Sequence, residues 1–550
     1  MVNEAVTAAK SASTGTQDAL AVLMRPMYVD RIPPCNQACP AGENIQEWLQ
    51  LAQAARFEQA WQALVKNNPM PAIHGRVCYH PCENGCNRKH LDQPVSIHAV
   101  ERFLGDLAIS KGWKFPLASP TGKRVLVVGS GPCGLSAAYH LARMGHAVTV
   151  REAGAKTGGM MRYGIPEYRL PRNILDAEIA RIADMGVDFQ TNSKIDDLEP
   201  YLRGAAFDAI FLAIGAQVGK RVDIPAADAA RIVDALQFLA DPDSSSPLCL
   251  GKRVAIYGGG NTAMDAARTA LRLGAEESLI VYRRDQARMP AHKSELEEAV
   301  AEGVVVNWLR TIKTVGEHEL EVEVMQLDSK GMPQPTGKTE ILNADTLILA
   351  LGQETQSDFL RNVPGIVVTR DGAIQVDDHL MTGCAGIFAG GDMIPLNKTV
   401  TTAVGHGKKA ARYIDAYINR GVYTPLPKHQ IARFDLLRID WYPKGPRAEQ
   451  PVAPSESRIE SFEETIGGLD KVAAVYEARR CFSCGNCFEC DTCCNVCPEQ
   501  TIEKLGPGKR FTIHMENCSR CGLCVQECPC GAMTMTPEIP PPVAEKGFAK

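Results

Sequence analysis

A chain of 550 residues, 45% of them hydrophobic and 22% charged, has room for about two to four packed domains. Its formal net charge of −5 leaves no basic surplus to neutralise phosphates, so no nucleic-acid partner is expected. No apolar run approaches the ~18 residues that a membrane-spanning helix needs, and the short run over residues 19–24 does not make a secretory signal peptide, which leaves the cytoplasm as the expected compartment.

Residues 1–30 read as a weakly ordered leader. Over residues 43–70, Ile45, Trp48, Leu49, Leu51, Ala52, Phe57, Trp61 and Leu64 recur at helical spacing, so the cysteines around them are embedded in helices. Of the 20 cysteines, five lie between Cys35 and Cys86 and twelve between Cys481 and Cys530. In a long chain without an export signal, that density points to thiolate-ligated metal rather than disulfides. The isolated Cys133, Cys249 and Cys384 read as small buried hydrophobes.

From Lys123 the pattern becomes strand, glycine turn and helix, and it occurs twice. In the first unit, RVLVVGSGPCGLSAAYHLARMGHAVTVRE, Gly129, Gly131 and Gly134 form G-x-G-x-x-G, with Pro132 opening the helix and Glu152 ending the second strand. The glycines permit a tight turn and close approach of a pyrophosphate to the helix N-terminus, and the acid suits a ribose hydroxyl. In the second unit Gly258, Gly260 and Ala263 occupy the same turn, with Asn261 beside them. Its second strand ends in Tyr282, Arg283 and Arg284, with Arg288 soon after, and guanidinium groups there suit the 2′-phosphate of NADP(H) where an acid would repel it; NAD(H) stays possible, since two solvated arginines could also close a strand.

AGGD at residues 389–392 follows a short strand pattern and precedes a helical one. Alone, Asp392 reads as an N-cap. After two Rossmann units it resembles the returning segment of two-dinucleotide flavoproteins, in which such an acid meets the ribityl chain of FAD, and that order inserts the NADP domain within the FAD domain. Residues 425–475 read as a linker and docking segment. Beyond them, Cys518, Cys521, Cys524, Cys528 and Pro529 give C-x2-C-x2-C-x3-C-P, and upstream only Cys487, Cys490, Cys493, Cys497 and Pro498 satisfy the same pattern. Paired runs of this kind mark a bacterial two-cluster ferredoxin, in which the fourth cysteine of each run serves the other cluster. Cys481, Cys484, Cys494 and Cys530 remain, enough in number for a further metal site and otherwise read as packing residues.

The run GGMMRYGIPEYRLP (residues 158–171), GGGNTAMD (258–265), YRR followed by MPA (282–291) and AGGD together resemble the glutamate synthase small-subunit family, whose module is shared by dihydropyrimidine dehydrogenase and bifurcating ferredoxin:NADP oxidoreductase. The likeness covers roughly residues 30–420. It implies FAD at Gly129, Gly131, Pro132, Gly134, Glu152, Gly159, Arg169, Gly391 and Asp392, and NADPH at Gly258, Gly260, Asn261, Ala263, Arg283, Arg284 and Arg288. Members carry C-x2-C-x4-C-x3-C-P before a second run of three cysteines, enough for two 4Fe-4S clusters. Here Met27 and Asp30 stand where the upstream C-x2-C should lie. One N-terminal cluster is therefore expected, on Cys39, Cys78, Cys82 and Cys86, with zinc as the alternative metal. Cys35 then becomes a relic or an unligated thiol, and the role of Glu101, which in relatives approaches the missing cluster, falls into doubt.

The expected fold is α/β: a helical iron–sulfur domain (1–118), an FAD domain (119–230 and 355–424) enclosing an NAD(P)H domain (231–354), a linker (425–475), a two-cluster ferredoxin domain (476–538) and a flexible tail (539–550). These parts form a route from NADP(H) through FAD to three 4Fe-4S clusters, with no nucleophile or general acid required. The reading is an NAD(P)H:ferredoxin-type oxidoreductase subunit of a hetero-oligomeric complex. Its partner would be ferredoxin or an iron–sulfur enzyme such as a 2-oxoacid:ferredoxin oxidoreductase or a benzoyl-CoA reductase. The alternatives are the glutamate synthase small subunit, which normally ends after its FAD domain, and a scaffold that has lost its flavin.

Overall fold

The computed structural model describes residues 23–203, 206–220, 222–227, 230–240, 250–395, 398–425, 427, 429–506 and 508–538. Most of the expected leader, Cys249 and the expected tail from residue 539 lie outside the described residues. The chain forms two bodies, one of residues 33–428 and 444–481 and a smaller one of residues 23–32, 429–443 and 482–538.

The larger body begins with helices α1 (Pro34–Ala38), α2 (Ile45–Gln53), α3 (Phe57–Val65), α4 (Pro71–Val77), α5 (Pro81–Gly85) and α6 (Ile97–Lys111). The helical-period residues bury as their spacing demands, and Trp48 and Trp61 are fully enclosed. Helices α4 and α6 meet backbone to backbone. A Cβ on Gly75 would stand 2.4 Å from the Arg102 Cβ, and one on Gly105 would stand 2.2 Å from the Ala72 nitrogen. Only glycine permits that approach, and it fixes where α4 ends.

Next come β1 (Arg124–Val128), α7 (Pro132–Arg143), β2 (Ala147–Arg151), β3 (Asp188–Gln190) and β4 (Ala209–Leu212). A second set follows: β5 (Ile232–Asp234), β6 (Arg253–Tyr257), α8 (Asn261–Arg272), β7 (Glu277–Tyr282), β8 (Val305–Trp308) and β9 (Thr346–Leu349). The chain then returns through β10 (Ile387–Ala389) and α9 (Val400–Ile418). The first sheet has the order β10-β4-β1-β2-β3 and the second β8-β7-β6-β9-β5, both parallel throughout. Because β10 pairs with β4 although the whole second sheet lies between them in sequence, one Rossmann-type unit is inserted in the other.

Residues 444–481, part of which reads as linker in the sequence, pack on the N-terminal helices. Glu464 pairs with Arg76 (2.7 Å) and Arg102 (2.9 Å), Arg447 with Glu83 (2.7 Å), and α10 (Lys471–Arg479) leads to Arg480, which pairs with Asp92 (3.0 Å). Charges that look like solvated surface in the sequence are here half of a buried ion network.

In the smaller body, Met24–Tyr28 is a strand paired antiparallel with Met533–Pro537, from Met24 opposite Pro537 to Tyr28 opposite Met533. Residues 24–28 are therefore ordered, and Met27 and Asp30, the positions of the missing C-x2-C, belong to this body. A second hairpin, Ile502–Lys504 with Phe511–Ile513, and two short helices at Thr492–Asn495 and Leu523–Gln526 complete it. No helix among the described residues is long and apolar enough to cross a membrane.

A buried charge cluster sits on α8, where Arg268 donates to both oxygens of Glu302 (2.9 and 2.7 Å) and Arg272 to the same two (2.7 and 3.0 Å). Burial alone would raise the Glu302 pKa, but these bonds pull it down to about 2. A lowered carboxylate stabilises the fold fully above the ordinary Glu value of about 4.3 and loses that contribution as pH falls from there through 2. Glu302→Ala leaves two buried guanidinium groups without their shared partner and should cost about 3–5 kcal/mol. Calorimetry should show a lowered unfolding transition at pH 7, and the gap from wild type should narrow below pH 4.

Candidate functional site

β1 ends at Gly129, where φ is 101° and a Cβ would stand 2.5 Å from the Ala213 carbonyl oxygen. A Cβ on Gly134 would stand 1.9 Å from the Gly129 oxygen, whereas around Gly131 nothing lies nearer than Gly159 at 4.0 Å. The outer glycines thus close the turn and the middle one leaves the start of α7 open. Pro132 takes its first position at no cost in hydrogen bonds, and the free N–H groups of the first turn make an anion site. Glu152 is buried. It accepts from the Ser130 nitrogen (2.9 Å), the Ser130 hydroxyl (2.5 Å) and the Gly154 nitrogen (2.7 Å). Three of its roughly four acceptor positions are filled, which fixes the carboxylate and leaves room for a ribose hydroxyl.

A cleft of ≈180 Å³ runs from this turn past Gly159, Arg169, Gly391 and Asp392 to Val77 and Tyr79. Burial raises the Asp392 pKa, with Lys398 opposing it. Arg169 lines the cleft, but its guanidinium is engaged: it donates to both Asp265 oxygens at 2.8 Å and to Glu295. It therefore ties the loop after residue 166 to α8 in the inserted unit.

The second cleft, of ≈530 Å³, is lined by Gly258, Gly260, Arg283, Arg284 and Lys220. Ala263 is buried beneath the turn on α8, and Gly259 admits the Tyr282 ring, which a Cβ would meet at 2.4 Å. Asn261 opens α8, accepts from the His292 nitrogen (2.8 Å) and lines the first cleft. Arg288 is not on the cleft wall. It closes a turn with Asp285 (2.6 Å), whose side chain caps that turn. Lys220 was not legible as a site residue, because no motif surrounds it. Thr262 and Gln353 line both clefts, so the two are continuous.

Behind Val77 and Tyr79 lie thiols. Cys78 is the residue between those two, and it ends α4 in extended backbone (φ −72°, ψ 140°). Burial holds Cys39 well above the usual thiol range, with Glu43, Glu101 and Cys78 adding to it, and pushes Cys78 up to about 12 beside Glu101. Cys82 is raised by burial, then by Glu83, Cys78, Cys39 and Cys35. Glu43, His74 and Glu101 place donor atoms within 4.8 Å of one another, all buried. Thiols and carboxylates crowded together in a dry interior are the donor set of a cationic centre, so a 4Fe-4S cluster fits here. Burial raises the Cys86 thiol, with Glu83 adding to it and Arg480 opposing.

In the smaller body Cys487 is raised by burial and by Cys493, Cys528 and Cys490, so these four come together. A separate cavity is lined by Cys497, Cys518, Cys521 and Cys524. The fourth cysteine of each run thus lies with the other run, in the two-cluster ferredoxin manner. Cys494 donates to the Ile502 carbonyl (3.1 Å), and Cys530 is buried in the small core against Cys528 (3.8 Å).

A family model described as pyridine nucleotide-disulphide oxidoreductase matches residues 123–407, one described as dihydropyrimidine dehydrogenase domain II, 4Fe-4S cluster, matches residues 12–113, and one described as 4Fe-4S dicluster domain matches residues 486–532. The NADP(+)-dependent formate dehydrogenase subunit beta of Moorella thermoacetica is 34% identical, over 82% of this chain and 70% of that protein. The NADPH-Fe(3+) oxidoreductase subunit beta of Geobacter sulfurreducens is 32% identical, over 83% and 76%. The glutamate synthase [NADPH] small chain of Azospirillum brasilense is 32% identical, over 72% and 88%.

Replacing Arg283 and Arg284 together with alanine removes charge-assisted hydrogen bonds worth about 1.5–3 kcal/mol. KM for NADPH should rise about 10- to 100-fold while KM for NADH stays nearly constant. Steady-state kinetics with an artificial acceptor would decide it, and an equal loss for both nucleotides would show that neither arginine reads the 2′-phosphate.

Proposed function

The chain belongs to the pyridine nucleotide-disulphide oxidoreductase family, in its NADP-dependent flavin iron–sulfur branch, and we propose that it passes electrons between NADP(H) and an iron–sulfur partner of a hetero-oligomeric complex. The observation that carries this is the position of Cys78, one residue from each of two walls of the first cleft and within the thiol group of Cys39 and Cys82.

In this reading Gly131, Pro132 and Gly159 cradle the FAD pyrophosphate, Glu152 holds the ribose, and Gly391 with Asp392 bounds the far side. Arg283, Arg284 and Lys220 hold NADP(H) by its phosphates, at the turn of Gly258, Gly260 and Asn261. Thr262 and Gln353 mark where the two nucleotides meet. FAD held by these residues would supply the conversion of a hydride's electron pair into the single electrons that iron–sulfur acceptors require. Val77 and Tyr79 exclude water between the cleft and the thiols, which keeps that transfer short and dry.

The ferredoxin-like body supports delivery to a protein partner, either ferredoxin or an iron–sulfur enzyme of the 2-oxoacid:ferredoxin oxidoreductase or benzoyl-CoA reductase kind. All three relatives above are named as subunits or chains of larger enzymes. The protein, tagged and purified anaerobically from its native host, should show visible flavin absorbance that NADPH bleaches, with an iron–sulfur enzyme co-eluting. A flavin that NADPH leaves oxidised would sink the reading, a colourless protein would indicate a scaffold, and co-elution of a glutamate synthase large subunit would replace the partner.

A further inference from the structure

The two cysteine runs of the smaller body are repeats of one another, and the backbone that follows them repeats as well. Four residues beyond the last cysteine of each run stand Thr501 and Ala532. The next residues then enter a sheet, Ile502 opposite Ile513 and Met533 opposite Tyr28. Tyr28 and Ile513 are therefore matching positions, one for each cluster. Ile513 lines the cavity of Cys497, Cys518, Cys521 and Cys524, whereas the Tyr28 hydroxyl lies 3.2 Å from Cys493 Sγ. A second matched pair differs in the same way. Thr492, two residues after Cys490, places its hydroxyl 3.3 Å from that sulfur, and two residues after Cys521 stands Leu523.

A cysteine that ligates iron has given up its proton, so the hydroxyl is the donor in these contacts. The set of Cys487, Cys490, Cys493 and Cys528 thus receives Tyr28 and Thr492, and the Cys530 thiol, 3.8 Å from Cys528, adds a weaker donor. The other set receives the Thr501 hydroxyl, 3.4 Å from Cys497. Backbone nitrogens serve both runs alike, Ala532 at Cys528 (3.3 Å) and Arg520 at Cys518 (3.4 Å), so the imbalance lies in the side chains. Cys493 is buried, which makes the bond from Tyr28 stronger than one to the exposed Cys490. Stacking on Phe511, with ring centroids 6.4 Å apart, and the pairing with Met533 hold the tyrosine in place. Reduction adds a negative charge that spreads onto the ligating sulfurs, and every donor to them favours the reduced form.

We propose that Tyr28, aided by Thr492, makes the cluster of Cys487, Cys490, Cys493 and Cys528 the higher-potential member of the ferredoxin pair, so that the first electron to enter this body settles there. Tyr28 acts through a ligating sulfur and is a positioning residue, not a ligand. The stretch from Met27 to Asp30, which lacks the C-x2-C of the family it resembles, contributes to a different cluster instead. The inference rests on the two clusters of this body and takes nothing else from the proposed function.

The test is an anaerobic redox titration of the full-length protein followed by electron paramagnetic resonance, with iron and FAD content measured alongside. Neither NADP(H) nor a partner enters it, so its failure and that of the proposed function are told apart. In wild type the two ferredoxin clusters should be reduced in separate steps, about tenfold or more apart in equilibrium constant, which is about 59 mV for a one-electron couple. Tyr28→Phe keeps the ring and removes the hydroxyl. It should lower the upper step about tenfold with iron and FAD unchanged, Thr492→Val should lower the same step, and Thr501→Val should lower the other. Transfer of wild type into D2O should shift the Fe–S(Cys) stretches in resonance Raman spectra, and that shift should shrink in Tyr28→Phe. The proposal is overturned by coincident steps in wild type, by a Tyr28→Phe protein with every step in place, or by a fall confined to the lower step. If Tyr28→Phe sheds iron, Thr492→Val decides by the same readings: a lowered upper step supports the proposal and an unmoved one overturns it.

Discussion

Three residues at the end of α4 set the geometry on which electron movement depends. Cys78 leaves α4 in extended backbone, and its neighbours on either side, Val77 and Tyr79, wall the nucleotide cleft. The stretch is held in register by Gly75 and Gly105, at which α4 and α6 touch without intervening side chains. Arg76 and Arg102, from the same two helices, then share Glu464 from a segment almost 400 residues later.

The parts legible in the sequence were those in which chemistry dictates residue type. Gly129, Gly131 and Gly134 stand where a Cβ is excluded or a ligand must approach, and Gly258 and Gly260 do the same on the second cleft. The ferredoxin runs were equally plain, because frame and proline leave one solution each. Arg288 looks in the sequence like part of an arginine cluster, whereas in the structure it pairs with Asp285 three residues earlier. The ordered residues 24–28 and the packing of residues 444–481 were not legible at all. A strand whose partner is some 500 positions away and ion pairs between distant helices leave no local periodicity to read.

Arg169 is implied by the resemblance as a flavin contact, and the structure shows what its guanidinium touches. It lies on the flavin-side cleft as the likeness implies, yet its hydrogen bonds go to Asp265 and Glu295 of the inserted unit. Arg268, on the same helix as Asp265, is paired in turn with Glu302. A string of nearly dry charges therefore runs from the loop of one nucleotide unit into the interior of the other. Buried pairs of this kind add little net stability, but they tolerate few alternative geometries, which suits a junction where two bound nucleotides must meet.

The pairing of Met24–Tyr28 with Met533–Pro537 joins segments some 500 residues apart in the chain, so that the first is made well before the second. At about 5–20 residues per second, the ribosome needs on the order of half a minute to two minutes to travel between them. Throughout that interval the early strand has an open edge and no partner, while the nucleotide-binding units can already close around their own parallel sheets. Cofactor capture would thus proceed in the order of synthesis for the flavin unit and wait for residues 533–537 at the ferredoxin body. A prematurely terminated chain could hold a nucleotide but would have no assembled outlet for its electrons.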